Sequence, residues 1–121
     1  MLKMVILIRK KKGMSREDFI TYYENQHSAL GKRLVGHLWT GYVRNYPKAL
    51  MEYQPEETNI DDSYDAITEI WFKDQAAVDE MARIVNIPEN NMAILRDEEN
   101  FQEREHTRML LVDEYDTGTT V

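Results

Sequence analysis

The chain has 121 residues, 42% of them hydrophobic and 31% charged, the size and make-up of a single soluble globular domain. Its 22 acids against 15 bases give a formal net charge of −7, which argues against a nucleic-acid partner, since that needs a clustered basic surface. With no cysteine, disulfides, thiolate nucleophiles, iron–sulfur clusters and thiolate zinc sites are excluded, and no apolar run is long enough to span a membrane.

Residues 2–9, "LKMVILIR", read as a strand rich in Val, Ile and Leu, apolar on both faces and so suited to cover on both sides. The stretch is too short for a secretion signal and its basic residues follow the apolar core, so the cytoplasm is the expected location. The short basic cluster Arg9 to Lys12 reads as a solvated turn, ended by Gly13. Ser15 followed by Asp18 is a variant capping box that opens a helix. At about 100° per residue Phe19, Tyr23, Leu30 and Leu34 form one stripe, and His27 falls inside it, roughly 40° from its centre. Gly31 and Gly36 loosen and then end this helix.

Residues 37–46, "HLWTGYVRNY", predict a second strand with Leu38, Thr40, Tyr42 and Arg44 on one face and Trp39, Gly41 and Val43 on the other. Residues 47–63 hold two prolines and a run of acids, a long exposed connection and a candidate flap. Residues 63–73, "SYDAITEIWFK", predict a third strand with Asp65, Ile67, Glu69 and Trp71 on one face. Asp74 caps a helix with a Val78, Met81, Ala82, Val85 stripe, and a second helix follows Pro88. "TRMLLVDEY" is the last strand. The domain is expected over residues 1–115, with 116–121 a frayed polar tail.

The order β-α-β-β-α-(α)-β is the split βαβ, or ferredoxin-like, arrangement: an α+β fold with a four-stranded antiparallel sheet and helices on one face. The other face is bare, and Trp71, Ile67 and Tyr42 are candidates for it. A bare apolar sheet face marks an interface, so two copies packed sheet to sheet, a homodimer, are expected.

The chain resembles the EthD domain family of dimeric α/β-barrel proteins. The resemblance rests on "GMSREDF", "YYENQHSAL", "YDAITEIWF" and "RDEENF", in that order, over residues 2–115. It implies a ferredoxin-like protomer, a dimeric barrel, and neither metal nor organic cofactor. It also points to His27, Asp65, Glu69 and Asp97. Similar proteins include cofactor-free polyketide dehydratases and cyclases, muconolactone-type isomerases and proteins of ether-degradation clusters.

His27 is either a core histidine bonded to a carbonyl or an acid, or a proton-transferring group facing a hollow. Asp65 and Glu69, four apart on a strand, stand about 13 Å apart, too far for a shared-proton dyad. One of them would orient His27 as a carboxylate does in a triad; the other would sit in an interface ion pair with Arg44 or Arg108. Asp97 lies in an acid run that by pattern alone reads as a solvated face, and the resemblance makes it a second candidate for orienting His27. Phe101 shares its helix face and anchors it inward. Tyr22, Tyr42 and Trp71 are core aromatics or the lining of a pocket for a flat ligand, with Glu69 and Phe101 beside them. His37 and His106 read as surface groups; no metal-ligand spacing, phosphate-cradling loop or nucleophile elbow is present. The expected function is a cofactor-free lyase or isomerase acting on a ring-bearing ketone, lactone or polyketide-like compound. A cofactor-independent monooxygenase and a non-catalytic ligand-binding or accessory protein are the alternatives.

Overall fold

The computed structural model describes residues 1–50 and 63–118. The segment 51–62, within the acidic connection that the sequence marks as a flap, and the tail residues 119–121 lie outside the described residues. Four strands, β1 (Leu2–Ile8), β2 (Trp39–Asn45), β3 (Ala66–Phe72) and β4 (Arg108–Val112), form one antiparallel sheet in the order β2-β3-β1-β4. That order, with the helices on one face, is the split βαβ arrangement.

The helix after Gly13 is not uniform. Helix α1 (Arg16–Tyr22) opens where the Ser15 hydroxyl accepts from the Asp18 N–H at 3.0 Å. A π-turn then spans Tyr23–His27, closed by the Ser28 N–H donating to the Tyr23 carbonyl, and α2 (Ser28–Val35) continues from it. One extra residue in that turn rotates everything after it. The buried positions run Phe19, Tyr23, Ser28, Val35, so a serine enters the core while Leu30 and Leu34 are only half-buried. Helix α3 (Gln75–Val85) starts at Asp74, whose carboxylate accepts from the Ala77 N–H. Its buried side carries Ala77, Val78, Met81, Ile84 and Val85, whereas Ala82 of the expected stripe is exposed. Helix α4 (Pro88–Phe101) begins with Pro88 in the first turn, where no intrahelical N–H is needed.

Strand β3 alternates between buried and half-buried positions. Ala66, Thr68, Ile70 and Phe72 face the helices; Ile67, Glu69 and Trp71 face away. On β1 Met4, Ile6 and Ile8 face the helices, and Lys3, Val5 and Leu7 face away. The core lies between sheet and helices, with Phe19, Tyr23, Phe72 and Phe101 fully buried in it.

In β2 an irregularity between Trp39 and Gly41 shifts the register against β3. This bulge puts Trp39 on the same face as Tyr42, their ring centroids 4.6 Å apart, which corrects the alternation expected from sequence. Tyr42 is paired with Ile70 and therefore belongs to the helix side, not to the bare face. On the bare face Trp71 lies across Gly41: a Cβ there would stand 2.9 Å from Trp71 Cε3. Gly41→Ala should therefore cost about 1–3 kcal/mol through overpacking. A urea midpoint equal to wild type would show that Trp71 is free to move aside.

Candidate active site

The cavity lies between the inner face of the sheet and the helices, with a volume of about 130 Å³. Its walls are mostly apolar: Ile6 and Ile70 from the sheet, Leu30 and Leu34 from α2, Val85 from α3 and Ile94 from α4. The polar groups on it are few: His27, Tyr23, Tyr42, Thr68, Glu98, Gln102, Thr107 and the edge of Trp39.

His27 closes the π-turn and lines this cavity. Its Nδ1 lies 2.5 Å from Asp97 Oδ2. An ionised carboxylate only accepts hydrogen bonds. The contact therefore places the imidazole proton on Nδ1, donating to Asp97, and leaves Nε2 as the basic nitrogen of the neutral ring. Asp97 is 8% exposed and sits on α4, held from its other side by the Tyr22 hydroxyl, which donates to Oδ1 at 3.0 Å. Asn100 Nδ2 in turn donates to the Tyr22 oxygen. The imidazole also leans on two rings, Phe101 at 4.8 Å and Tyr23, edge-on, at 4.9 Å between centroids. Orientation of the ring is thus fixed by one carboxylate and two aromatics, in the manner of a histidine positioned by an acid.

Two further features belong to the cavity, and of their residues sequence reading singled out only Tyr42. Glu98, next to Asp97, reaches the wall, and burial pushes its carboxyl above the usual carboxylate range, with Arg104 Nε at 3.4 Å opposing the shift. It therefore keeps its proton to higher pH than an exposed glutamate. Its signal in the sequence was the same acid run in which the resemblance picked out Asp97. The second is a group of hydroxyls. The Tyr23 hydroxyl is hydrogen-bonded to Thr68 Oγ1, and the Tyr42 hydroxyl interacts with those of Ser28 and Tyr23. Burial raises the pKa of both tyrosines, so each remains a neutral donor.

The other sequence candidates fall elsewhere. Asp65 lies just before β3 and does not reach His27: its carboxylate accepts from the Lys10 backbone N–H at 2.9 Å, and its own N–H donates to the Ile8 carbonyl. It borders a separate, open polar cleft of about 590 Å³ with Arg9, Lys12 and Glu103. That cleft is larger than the cavity, but it is an exchange of opposite charges at the surface, without a buried wall. Glu69 and Trp71 sit on the bare face, because only the even positions of β3 point at the helices. Glu69 pairs with Lys3 at 2.6 Å and accepts from Asn45, not from Arg44 or Arg108. Lys3 also lies over the Trp71 ring. Arg44 instead grips Glu24 of the π-turn with two hydrogen bonds, Nε to Oε2 at 2.9 Å and Nη2 to Oε1 at 2.5 Å. Tyr22 and Phe101 stand behind His27 and Asp97 rather than on the cavity wall, their rings stacked at 5.1 Å. His37 and His106 are exposed. His106, Glu103 and Glu105 come close enough that a metal ion could bridge them, yet Arg9 is already 3.8 Å from Glu103.

No helix among the described residues is long and apolar enough to cross a membrane. No curated protein matches the chain. Among solved structures, an ethyl tert-butyl ether D (EthD) family protein from Bacillus halodurans is similar at 14% identity and a TM-score of 0.60, over 95% of this chain and all of that one. HapK from Hahella chejuensis is similar at 15% identity and a TM-score of 0.59, over all of this chain and 99% of that one. A dimeric protein of ferredoxin-like fold from Bacteroides fragilis follows at 10% identity and a TM-score of 0.56, over 93% and 95% of the two chains. At such identities the likeness speaks for the fold. The sequence model of the EthD domain matches residues 11–105, and the chain belongs to the EthD domain family.

Proposed function

We propose that this protein is a small-molecule lyase or isomerase that works by proton transfer with its own side chains, using His27 as the general base and acid. The observation that carries the reading is the Asp97-bound imidazole on the wall of an apolar cavity. Nε2 takes a proton from the carbon next to a carbonyl and returns it elsewhere on the ring or to a departing hydroxyl. Asp97 holds the ring in the tautomer that makes Nε2 basic and balances the imidazolium that forms. Glu98, whose carboxyl burial raises above the usual range, stands as a second proton carrier on the same wall. The Tyr42 hydroxyl donates to the developing enolate oxygen.

The test is a panel of monocyclic ketones, enones and lactones, incubated with no added cofactor and with dissolved oxygen monitored. The reading predicts dehydration or double-bond migration with no oxygen consumed. Consumption in step with product would place the chain among oxygen-using enzymes instead, and binding without conversion of any compound would make it a carrier.

The bare sheet face supports a homodimer. Val5, Leu7, Ile67 and Leu110 lie on it, among few charges that are mostly paired with one another. A second copy of the same face would cover these side chains, as one relative described as dimeric suggests. Val5→Lys, in the middle of the central strand, should convert the dimer to a monomer in sedimentation velocity. A wild-type monomer at micromolar concentration would contradict the assembly.

A further inference from the structure

Trp39 holds an unsatisfied polar atom. Its indole N–H is buried and has no hydrogen-bond partner among the described residues. Leaving a buried donor unpaired costs about 1–3 kcal/mol, so such an atom calls for a partner from beyond the described residues.

The fold goes to some length to put this ring where it is. The β2 bulge turns Trp39 to the helix side. Gly31 of α2 makes room for the ring, since a Cβ there would stand 3.2 Å from Trp39 Cη2, and Gly36 lies against it as well. The ring forms part of the cavity wall beside Tyr42, tilted 45° to it. An apolar wall needs only an apolar ring; a phenylalanine would supply that without stranding a donor. None of the described polar groups on the same wall bonds to the indole N–H.

We propose that the Trp39 indole N–H, together with the neighbouring Tyr42 hydroxyl, forms a two-donor seat for one oxygen atom of the ligand, a carbonyl oxygen or the enolate oxygen derived from it, carried on a single six-membered ring. The one-ring limit follows from the cavity, whose volume of about 130 Å³ is close to the roughly 150 Å³ that holds benzene in other proteins. Fused-ring compounds exceed it. Two neutral donors in a mostly apolar cavity favour an oxyanion over a neutral carbonyl, because hydrogen bonds to charged acceptors are about twice as strong. The seat rests on the reading of this cavity as the ligand site, and it adds the ligand's size and the placement of its oxygen.

The chain has two tryptophans, so its indole N–H signals in a nitrogen-15 proton correlation spectrum are two, assignable with Trp71→Phe. Three probes of one ring each serve: 2-cyclohexenone, 4-nitrophenolate, and toluene as an oxygen-free control. The Trp39 signal should move downfield with the first two and not with toluene, while the Trp71 signal stays in place. In Trp39→Phe, toluene should bind as in wild type and 4-nitrophenolate about 10-fold or more weakly, the loss expected for a hydrogen bond to a charged group. A Trp39 signal that stays still, or moves equally with toluene, overturns the seat, as does failure of every probe to bind. The spectrum of the wild-type chain decides the matter even if the variant does not fold. Because the readout is binding, a chain that seats the oxygen probes through Trp39 but converts nothing would refute the proposed reaction and leave this seat standing.

Discussion

His27→Ala should lower conversion of a responsive ketone or lactone by about 10²–10⁴-fold, the range that positioned acid–base groups contribute. The substitution removes the only imidazole on the cavity wall among the described residues. Asp97→Asn should lose most of the same rate for a different reason. The amide can turn its NH₂ to Nδ1, which moves the imidazole proton to Nε2 and leaves the cavity side without a base. Tyr22→Phe removes one of two contacts on Asp97 and should cost several-fold at most, since the Nδ1 contact remains. The three variants thus form a graded series, read as kcat/KM with circular dichroism to confirm folding. Equal activity in Asp97→Asn and wild type would mean that the carboxylate is there for packing alone.

Phe101→Ala should be the most destabilising single change near the site, by about 3–5 kcal/mol. Phe101 is fully buried, stacked on Phe19 at 5.6 Å and on Tyr22 at 5.1 Å, edge-on to Tyr23 and against the His27 ring. Removing it opens a void beside four rings that cannot all collapse inward, because they stand on α1 and the π-turn, which the Tyr22–Asp97 hydrogen bond pins to α4. Phe101→Leu, nearer in volume, should cost under about 1.5 kcal/mol. The comparison is made on urea midpoints at constant m. Rates should follow as well, since His27 loses one of the surfaces that orient it. Similar midpoints for the Ala and Leu variants would show that the rings re-pack.

The architecture was legible because its signals were strong and local. Apolar strands of seven residues, Ser15 and Asp74 as caps, and Pro88 at a helix start each state an element by its own chemistry. The site was legible only in part. His27 stood out as a titratable group on an apolar stripe, but the π-turn that rotates α2 and buries Ser28 leaves no mark on periodicity. The β2 bulge likewise reversed the expected sides of Trp39 relative to Tyr42. By pattern alone Asp97 and Glu98 read as a solvated face; the family resemblance picked out Asp97, while Glu98 became visible only with α4 laid against the π-turn. Asp65 and Glu69 misled for the opposite reason. Their spacing on one strand was conspicuous, yet one ties the start of β3 to the Lys10 backbone just after β1 and the other pairs with Lys3 on the far side of the sheet. The hollow accordingly lies against the helix-covered side of the sheet, not the bare one.

Proton abstraction can be watched without the natural substrate, by exchange of hydrogen for deuterium next to the carbonyl of 2-cyclohexenone or a small cyclic ketone in heavy water, followed by proton NMR. Wild-type protein should accelerate the exchange in proportion to its concentration, and His27→Ala, folded, should leave it at the rate of buffer. Exchange that is undiminished in His27→Ala would contradict the account at its centre.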